Sequence, residues 1–179
     1  SIAASNRGNY DLHLALHSNA APEGQYGQVR GILVFYYPGS QEGERAATII
    51  ANNLKEIYPL PELVQAQPTT NLGEVRRVRA PSAFLELGYH DNPEDAAWIK
   101  SSLDAVAKNL VISLTDYFDI PFLLPQPSRS GQVDVDWGVL NIRARPELDA
   151  PILVQAPDGA PLTVRNSTGD WYLVDYYGT

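Results

Sequence analysis

Hydrophobic and polar positions follow two different periods along the first two thirds of the chain. Residues 11–17 place leucine at every second position, the period of a β-strand. Residues 32–37 and 83–87 are nearly continuous apolar runs, as expected of strands covered on both faces. Residues 40–58 and 101–118 repeat apolar side chains at helical spacing. Strands that alternate with helices predict an α/β fold with a mostly parallel, twisted sheet flanked by helices.

Local signals refine this pattern. Ser40 is the predicted N-cap of the first long helix, and Asn92 followed by Pro93 predicts the start of a shorter one. The first residues are typical of the tail of a helix that leads into a strand, and residues 72–78 are predicted as a further strand. The helix in residues 101–118 is predicted to bury one stripe: Leu103, Val106, Leu110, Val111, Leu114 and Tyr117.

The pattern changes after residue 119. Residues 120–132 hold three prolines and several small polar residues, which is typical of a semi-rigid linker. Four short strand candidates with turn signals between them follow, at residues 139–143, 152–155, 162–164 and 171–176. The sequence therefore predicts a domain at residues 1–119, a linker at residues 120–132 and a small all-β barrel at residues 133–179.

Composition narrows the possible functions. The 179 residues carry a net charge of -8 without a long basic block, which argues against nucleic acid as a partner. No run approaches the roughly 20 apolar residues of a membrane span. Cysteine is absent, so histidine and carboxylate must hold any metal ion. Methionine is absent as well, and because Ser1 is not a translation start, we expect the chain to be a piece of a longer product.

Glu86 is the first candidate for chemistry, because it is the one acid in the apolar run of residues 83–87 and comes shortly before Gly88. An unpaired buried carboxylate is costly. Apolar surroundings can raise its pKa for acid or base catalysis. A structural partner such as Arg76 or Arg79 would explain the acid equally well, so the residues alone leave both interpretations open.

The histidines give a second candidate. His17 ends its strand and is followed by a polar loop, where α/β sheets place their sites; metal binding and an ordinary hydrogen-bonding role both stay open for it. His13 shares its strand face, but four residues span about 13 Å, too far for two ligands of one zinc ion. We expect His13 to be packed or to face a helix, and His90 to be exposed in a loop.

Two stretches resemble a known family. DLHLALHSNA (residues 11–20) is similar to a strand ending in Ser-Ile-His-Ala-Asn, and APSAFLELGYHDNPED (residues 80–95) is similar to a Val-Glu-(x)-Gly-Phe-(x)-(x)-Asn motif with an acidic helix start. Both motifs are those of the zinc-dependent N-acetylmuramoyl-L-alanine amidases, the amidase-3 family of cell-wall hydrolases. The resemblance runs from about residue 6 to residue 118. It implies that His17 is a zinc ligand and that Glu86 is the catalytic carboxylate.

The resemblance also implies a gap. The family binds zinc through an earlier histidine and a glutamate as well, and no residue of this chain matches them. We expect both in a segment before Ser1, so the catalytic domain would be incomplete at its N-terminus. Zinc binding by this chain alone would then be weak or absent unless that segment of the same product is supplied.

The implied reaction is hydrolysis of the amide bond between N-acetylmuramic acid and L-alanine in peptidoglycan. A zinc-activated water would attack, with Glu86 as general base and then general acid. This substrate places the protein outside the cell, in the cell wall or periplasm. Some relatives carry an inserted helix that blocks the site, but residues 59–73 are too short for it, so we expect an open cleft.

The tail resembles a bacterial SH3 domain of the kind attached to cell-wall enzymes, through residues 138–153 and 169–178. The implied role is attachment to peptidoglycan through Trp171, Tyr172 and Tyr176, although these aromatics would also suit a barrel core. Two other functions stay open for the whole chain. One is a non-catalytic peptidoglycan-binding or regulatory protein with a lost metal site, and the other is a zinc peptidase acting on the same stem peptides.

Overall fold

The computed structural model divides the chain into two compact units, Ser1–Phe118 and Asp119–Thr179. It describes residues 1–178, so Thr179, the last residue of the predicted barrel, lies outside the described part. No helix in residues 1–178 combines the length and the apolar character that a membrane crossing requires.

The first unit is a mixed α/β layer structure. Its elements are α1 (Ile2–Arg7), β1 (His13–Asn19), β2 (Ile32–Tyr36), α2 (Gln41–Lys55), β3 (Val64–Pro68), α3 (Gly73–Arg76), β4 (Ser82–Tyr89), α4 (Pro93–Ser101) and α5 (Leu103–Phe118). The sheet has the strand order β1-β4-β2-β3, in which β1 pairs with β4 and β2 with β3 in parallel, while β2 and β4 are antiparallel. The predicted α/β class with a largely parallel sheet is confirmed.

Both predicted helix starts are confirmed by hydrogen bonds of the capping side chains. The Ser40 hydroxyl accepts a hydrogen bond from the backbone N–H of Gly43 at the start of α2. Asn92 Oδ1 accepts from the backbone N–H groups of Glu94 and Asp95, and Pro93 takes the first position of α4. These side chains satisfy N–H groups that a helix start leaves without partners.

Two expectations about the sheet and helices were wrong. Residues 72–78 contain the short helix α3 instead of a strand, because Leu72 and Val75 are spaced for one helical turn that packs against the sheet. The edge strand β3 was not predicted. Its polar sequence, VQAQP, gives no strand signal. On α5, Leu103 and Val111 are exposed, and the polar Asn109 and Ser113 are buried in their place.

The sheet buries a different core on each face. Leu85 and Ala83 of β4 point towards α2 and α5, where Ile50 and Leu54 of α2 are also buried. On the opposite face, Phe84 packs with Ala15 of β1 and Val75 of α3, in contact with Phe35 and Leu72. Because successive strand residues alternate between faces, Glu86 lies on the Phe84 side of the sheet.

A fully buried carboxylate, Asp95, connects four segments of the first unit. It accepts hydrogen bonds from Tyr58 Oη at 2.7 Å, from Arg30 Nε at 3.0 Å, and from the backbone N–H groups of Gly31 and Tyr89 at 3.1 and 3.0 Å. These donors come from the turn after α2, from the loop before β2 and from the end of β4. Asp95 therefore fixes the end of β4 relative to its neighbours.

The second unit is all-β. Its strands are β5 (Arg129–Gln132), β6 (Val139–Arg143), β7 (Ile152–Pro157), β8 (Pro161–Thr168) and β9 (Trp171–Asp175). A three-stranded sheet has the order β5-β8-β9, and β6 pairs with β7. The small core of this unit contains Ile142, Ala156 and Tyr176. The last four residues of the predicted linker form β5, so the linker prediction extends too far there.

Replacing Asp95 should destabilise the first unit. We expect Asp95→Asn to lower the free energy of unfolding by about 3 kcal/mol or more, because it removes a buried charge whose donors stay in place. Urea titration at neutral pH measures this change. The exposed Glu62→Gln variant serves as the control and should leave the midpoint unchanged.

The same pair of proteins gives a pH test. Burial alone would raise the pKa of Asp95, but the hydrogen bonds from Tyr58, Tyr89, Arg30 and Gly31 lower it. A lowered folded pKa stabilises the fold above the unfolded value of about 3.9, and this contribution disappears as the pH falls through the folded pKa. The stability difference between the original chain and Asp95→Asn should therefore shrink in acid. A difference that stays constant from neutral pH into acid would contradict this role.

Candidate active site

Strand register places the two predicted site residues side by side. His17 of β1 is the direct partner of Glu86 of the central strand β4, and Leu33 of β2 is its partner on the other side. Paired residues of neighbouring strands project from the same face of a sheet. Glu86 therefore has the titratable His17 on one side and the apolar Leu33 on the other.

Glu86 lies in apolar surroundings without a cation bonded to it. Its Oε2 atom is buried and has no hydrogen-bond partner in residues 1–178. Burial raises the pKa of Glu86, while His17 and His90 act in the opposite direction and lower this pKa by a smaller amount. Neither Arg76 nor Arg79 forms an ion pair with it among the described residues, so the proposed structural partner is not found.

His17 is partly exposed and is held by two contacts. Its ring stacks on Phe84, with centroids 4.3 Å apart and an interplanar angle of 11°. Its Nε2 atom lies 3.2 Å from Glu74 Oε2. Sequence reasoning missed Glu74, because residues 72–78 were assigned to a strand; the helical spacing of Leu72 and Val75 was the signal that could have revealed it.

His13 faces the N-terminal helix, as predicted. Its Nδ1 atom lies 3.1 Å from Ser5 Oγ on α1. Its Nε2 atom is buried without a hydrogen-bond partner in the described residues and lies 3.7 Å from Glu74 Oε1. The Glu74 carboxylate thus lies between the two imidazoles of β1, one on each oxygen.

His90 is exposed, as predicted, but it also belongs to the surroundings of Glu86. Its backbone N–H donates to Asn19 O at 2.9 Å, and its Nδ1 atom lies 3.1 Å from Ser18 Oγ. These contacts tie the end of β4 to the end of β1. Sequence reasoning gave His90 no role, because a loop histidine carries no sign of its neighbours in space.

The metal-binding capacity of these residues is limited. No group of three or more histidine, cysteine, aspartate or glutamate residues in the described part of the chain has an arrangement that could hold a metal ion. His17 and Glu74 supply two donors. Residues 1–178 therefore do not form a complete zinc site by themselves.

The arrangement suits proton transfer. A carboxyl group whose pKa is raised by burial takes up a proton more readily than an exposed one and can release it again. Glu86 is such a group, and the imidazoles of His17 and His90 are near enough to act on its charge. The geometry fits hydrolysis in which one carboxylate first accepts and then donates a proton.

The comparisons with known proteins agree with this chemistry. A sequence profile described as N-acetylmuramoyl-L-alanine amidase matches residues 1–116. The chain belongs to this amidase family. A profile described as a bacterial SH3 domain matches residues 138–179, so the amidase segment is followed by an SH3 domain. Curated protein sequences gave no match.

Solved structures similar to this amidase chain include the catalytic domain of the CD27L endolysin targeting Clostridia difficile. It is 28% identical, with a TM-score of 0.55, and the match covers 64% of this chain and 59% of that chain. The CwlD amidase from Clostridioides difficile, in complex with the GerS lipoprotein, is 17% identical, with a TM-score of 0.59 and coverage of 65% and 59%.

The amidase AmiC2 of Nostoc punctiforme is 18% identical, with a TM-score of 0.55 and coverage of 66% and 63%. At this identity, the CwlD and AmiC2 likenesses support the fold alone. The chain spans about 59 to 63% of the length of these three structures.

The apolar setting of Glu86 should cost the amidase segment stability. A raised folded pKa makes stability fall as the pH rises from the unfolded value of about 4.3 through the folded pKa. Glu86→Gln does not titrate in that range, so we expect it to be more stable than the original chain at neutral pH by up to about 1 kcal/mol. Urea unfolding at several pH values measures the difference.

The matched control for this test is Glu62→Gln, which removes an exposed carboxylate. It should follow the original chain at every pH. An equal or lower stability of Glu86→Gln at neutral pH would show that the carboxylate is paired in solution.

Proposed function

We propose that the amidase segment hydrolyses the amide bond between N-acetylmuramic acid and L-alanine in peptidoglycan. The main support is Glu86, an acid with a buried, unpartnered oxygen next to His17 on the central strand, in a chain of this amidase family. A carboxylate in that state costs stability, so a chemical role explains its presence better than a structural one.

Glu86 is the proton carrier in this proposal. As the carboxylate, it accepts a proton from the attacking water, which adds to the amide carbonyl carbon. As the acid, it returns the proton to the leaving amine when the carbon–nitrogen bond breaks. The raised pKa favours uptake of the proton, and the nearby imidazoles of His17 and His90 favour the ionised form needed for the first step.

We further propose that His17 is one donor to a catalytic zinc ion. Its imidazole is partly exposed and lies beside Glu86, which suits a ligand next to the reacting water. The described residues do not complete such a site, so further donors would have to come from outside them. A bound zinc ion would polarise the carbonyl and lower the pKa of the water.

The SH3 domain is proposed to attach the enzyme to the cell wall, where its substrate is found. The aromatic side chains predicted for this role differ in exposure: Tyr172 is 60% exposed, whereas Tyr176 is only 7% exposed and belongs to the core of its unit. Tyr172 is therefore the better candidate for contact with peptidoglycan. This substrate also supports action outside the cell, in the cell wall or periplasm.

A second function is favoured by one observation. Because the described residues contain no group of three metal donors, the chain is also compatible with a non-catalytic peptidoglycan-binding or regulatory protein. Such a protein would bind cell walls without releasing stem peptides. Measured activity separates the two functions, and the masses of released products separate an amidase from a peptidase.

The proposed reaction predicts a specific loss of activity. Glu86→Gln should reduce the release of stem peptides from purified cell walls by about 100-fold or more, because the amide cannot carry the proton. Released amino groups are followed over time for protein that includes the segment supplying the further metal donors, in its original form, as Glu86→Gln and as the Glu62→Gln control. Undiminished release by Glu86→Gln would rule out the assigned role.

The zinc proposal has a readout besides activity. His17→Ala should reduce the zinc content of purified protein, measured by atomic emission after incubation with zinc and removal of the excess. His90→Ala is the matched control and should retain the zinc content of the original chain. Zinc content is compared in protein that includes the segment supplying the further donors. If the original protein binds zinc there and His17→Ala contains the same amount, His17 is not a ligand.

A further inference from the structure

Four arginines lie together at one edge of the amidase segment. Arg7 ends α1, and Arg76, Arg77 and Arg79 lie in α3 or just after it. Asn6 joins the two segments: its Nδ2 donates to Arg77 O at 2.8 Å, and its Oδ1 accepts from Arg79 N at 2.8 Å. We call Arg7, Arg76, Arg77 and Arg79 the arginine surface.

The arginine surface has no internal counter-charge. All four side chains are exposed. None of the four guanidinium groups forms an ion pair or a side-chain hydrogen bond within residues 1–178. Other arginines of the chain do pair with carboxylates, namely Arg30, Arg45, Arg145 and Arg165.

This local charge contrasts with the rest of the protein. Residues 1–11 and 69–82 contain the arginine surface and two acids, Asp11 and Glu74. Removing these residues from the 13 basic and 21 acidic residues of the chain leaves 9 basic and 19 acidic ones. The Glu74 carboxylate is itself engaged by His17 and His13. An anionic ligand would thus meet positive charge here and negative charge over most of the remaining chain.

One part of the arginine surface lies close to the candidate active site. Arg77 follows Glu74 by three residues, which places the two side chains on the same side of this helical turn, and the Glu74 carboxylate is 3.2 Å from His17 Nε2. His17 is in turn the register partner of Glu86. A ligand that reaches Glu86 past His17 therefore passes next to α3.

We propose that the arginine surface binds carboxylates in the peptide part of the substrate. This inference rests on the proposed function, since the bond cleaved there joins a peptide to a sugar acid. Arginine pairs with carboxylates through two parallel hydrogen bonds, which suits an acidic peptide better than a single point charge would. The arginine surface thereby selects substrates with acidic peptides and orients the peptide away from Glu86.

Equilibrium binding tests the inference without any bond being broken. The probe is a fluorescein-labelled peptide, Ala-Glu-Ala-Glu-Ala with an amidated C-terminus, followed by fluorescence anisotropy. Changing Arg7, Arg76, Arg77 and Arg79 together to Gln should weaken binding at least about tenfold. Raising salt from about 0.02 M to about 0.2 M should weaken binding to the original chain and change little for the variant.

Two controls make the result specific. A variant with Lys55, Lys100, Arg129 and Arg145 changed to Gln loses the same charge from exposed positions elsewhere and should bind like the original chain. The peptide Ala-Gln-Ala-Gln-Ala should bind the original chain no better than it binds the arginine variant. Changing the four arginines to Lys should restore only part of the affinity, because lysine keeps the charge but not the paired hydrogen bonds.

Several outcomes would overturn the inference. The acidic peptide could bind the original chain and the arginine variant equally well, or it could bind neither. A third such outcome is that a phosphodiester polymer binds through the four arginines in place of the peptide. The result is independent of turnover. A chain that binds the acidic peptide through the arginine surface but releases nothing from cell walls contradicts the proposed function and leaves this inference standing.

Discussion

The register of the central strand β4 is the constraint on which the amidase segment depends. Leu85 must face α2 and α5 to complete the main core, and the period of two then forces Glu86 to the opposite face. A slip of one residue would bury Glu86 in the main core and expose Leu85. The same hydrophobic force that holds the sheet therefore positions the carboxylate. The register of β4 also determines which two residues lie beside Glu86, namely His17 and Leu33.

Two acids of this unit show how hydrogen bonds determine the pKa of a carboxyl group in the protein. Asp95 accepts from two backbone N–H groups, Tyr58 and Arg30, and these bonds lower its pKa despite complete burial. Glu86 has an orphaned oxygen, and burial raises its pKa. Asp95 consequently stays ionised and fixes the end of β4, the strand that carries Glu86. The hydrogen-bonded Asp95 thereby helps to hold Glu86, whose Oε2 atom lacks a partner, in its position.

The sequence was informative wherever one residue type decides the local structure. The apolar runs predicted β1, β2 and β4, and the caps Ser40 and Asn92 predicted the starts of two helices, because these signals lie within a few residues. The edge strand β3 carries a polar sequence, and its strand state depends on pairing with β2, which no local pattern contains. The exposed Leu103 and Val111 show the same limit for α5, where the burial of each face depends on its neighbours.

The site could be predicted in part for the same reason. Glu86 and His17 stood out through their strand positions, but the contact of Glu74 with His17 joins residues 57 positions apart. That contact gives the imidazole a hydrogen-bond partner, and the stack on Phe84 gives it a fixed plane. His17 therefore has a defined orientation from protein contacts alone. A ligand that bound His17 through Nε2 would have to displace the Glu74 carboxylate or share it. Because α3 carries Glu74 and Arg76, with Arg77 directly after it, binding at the site and binding of the peptide would influence each other there.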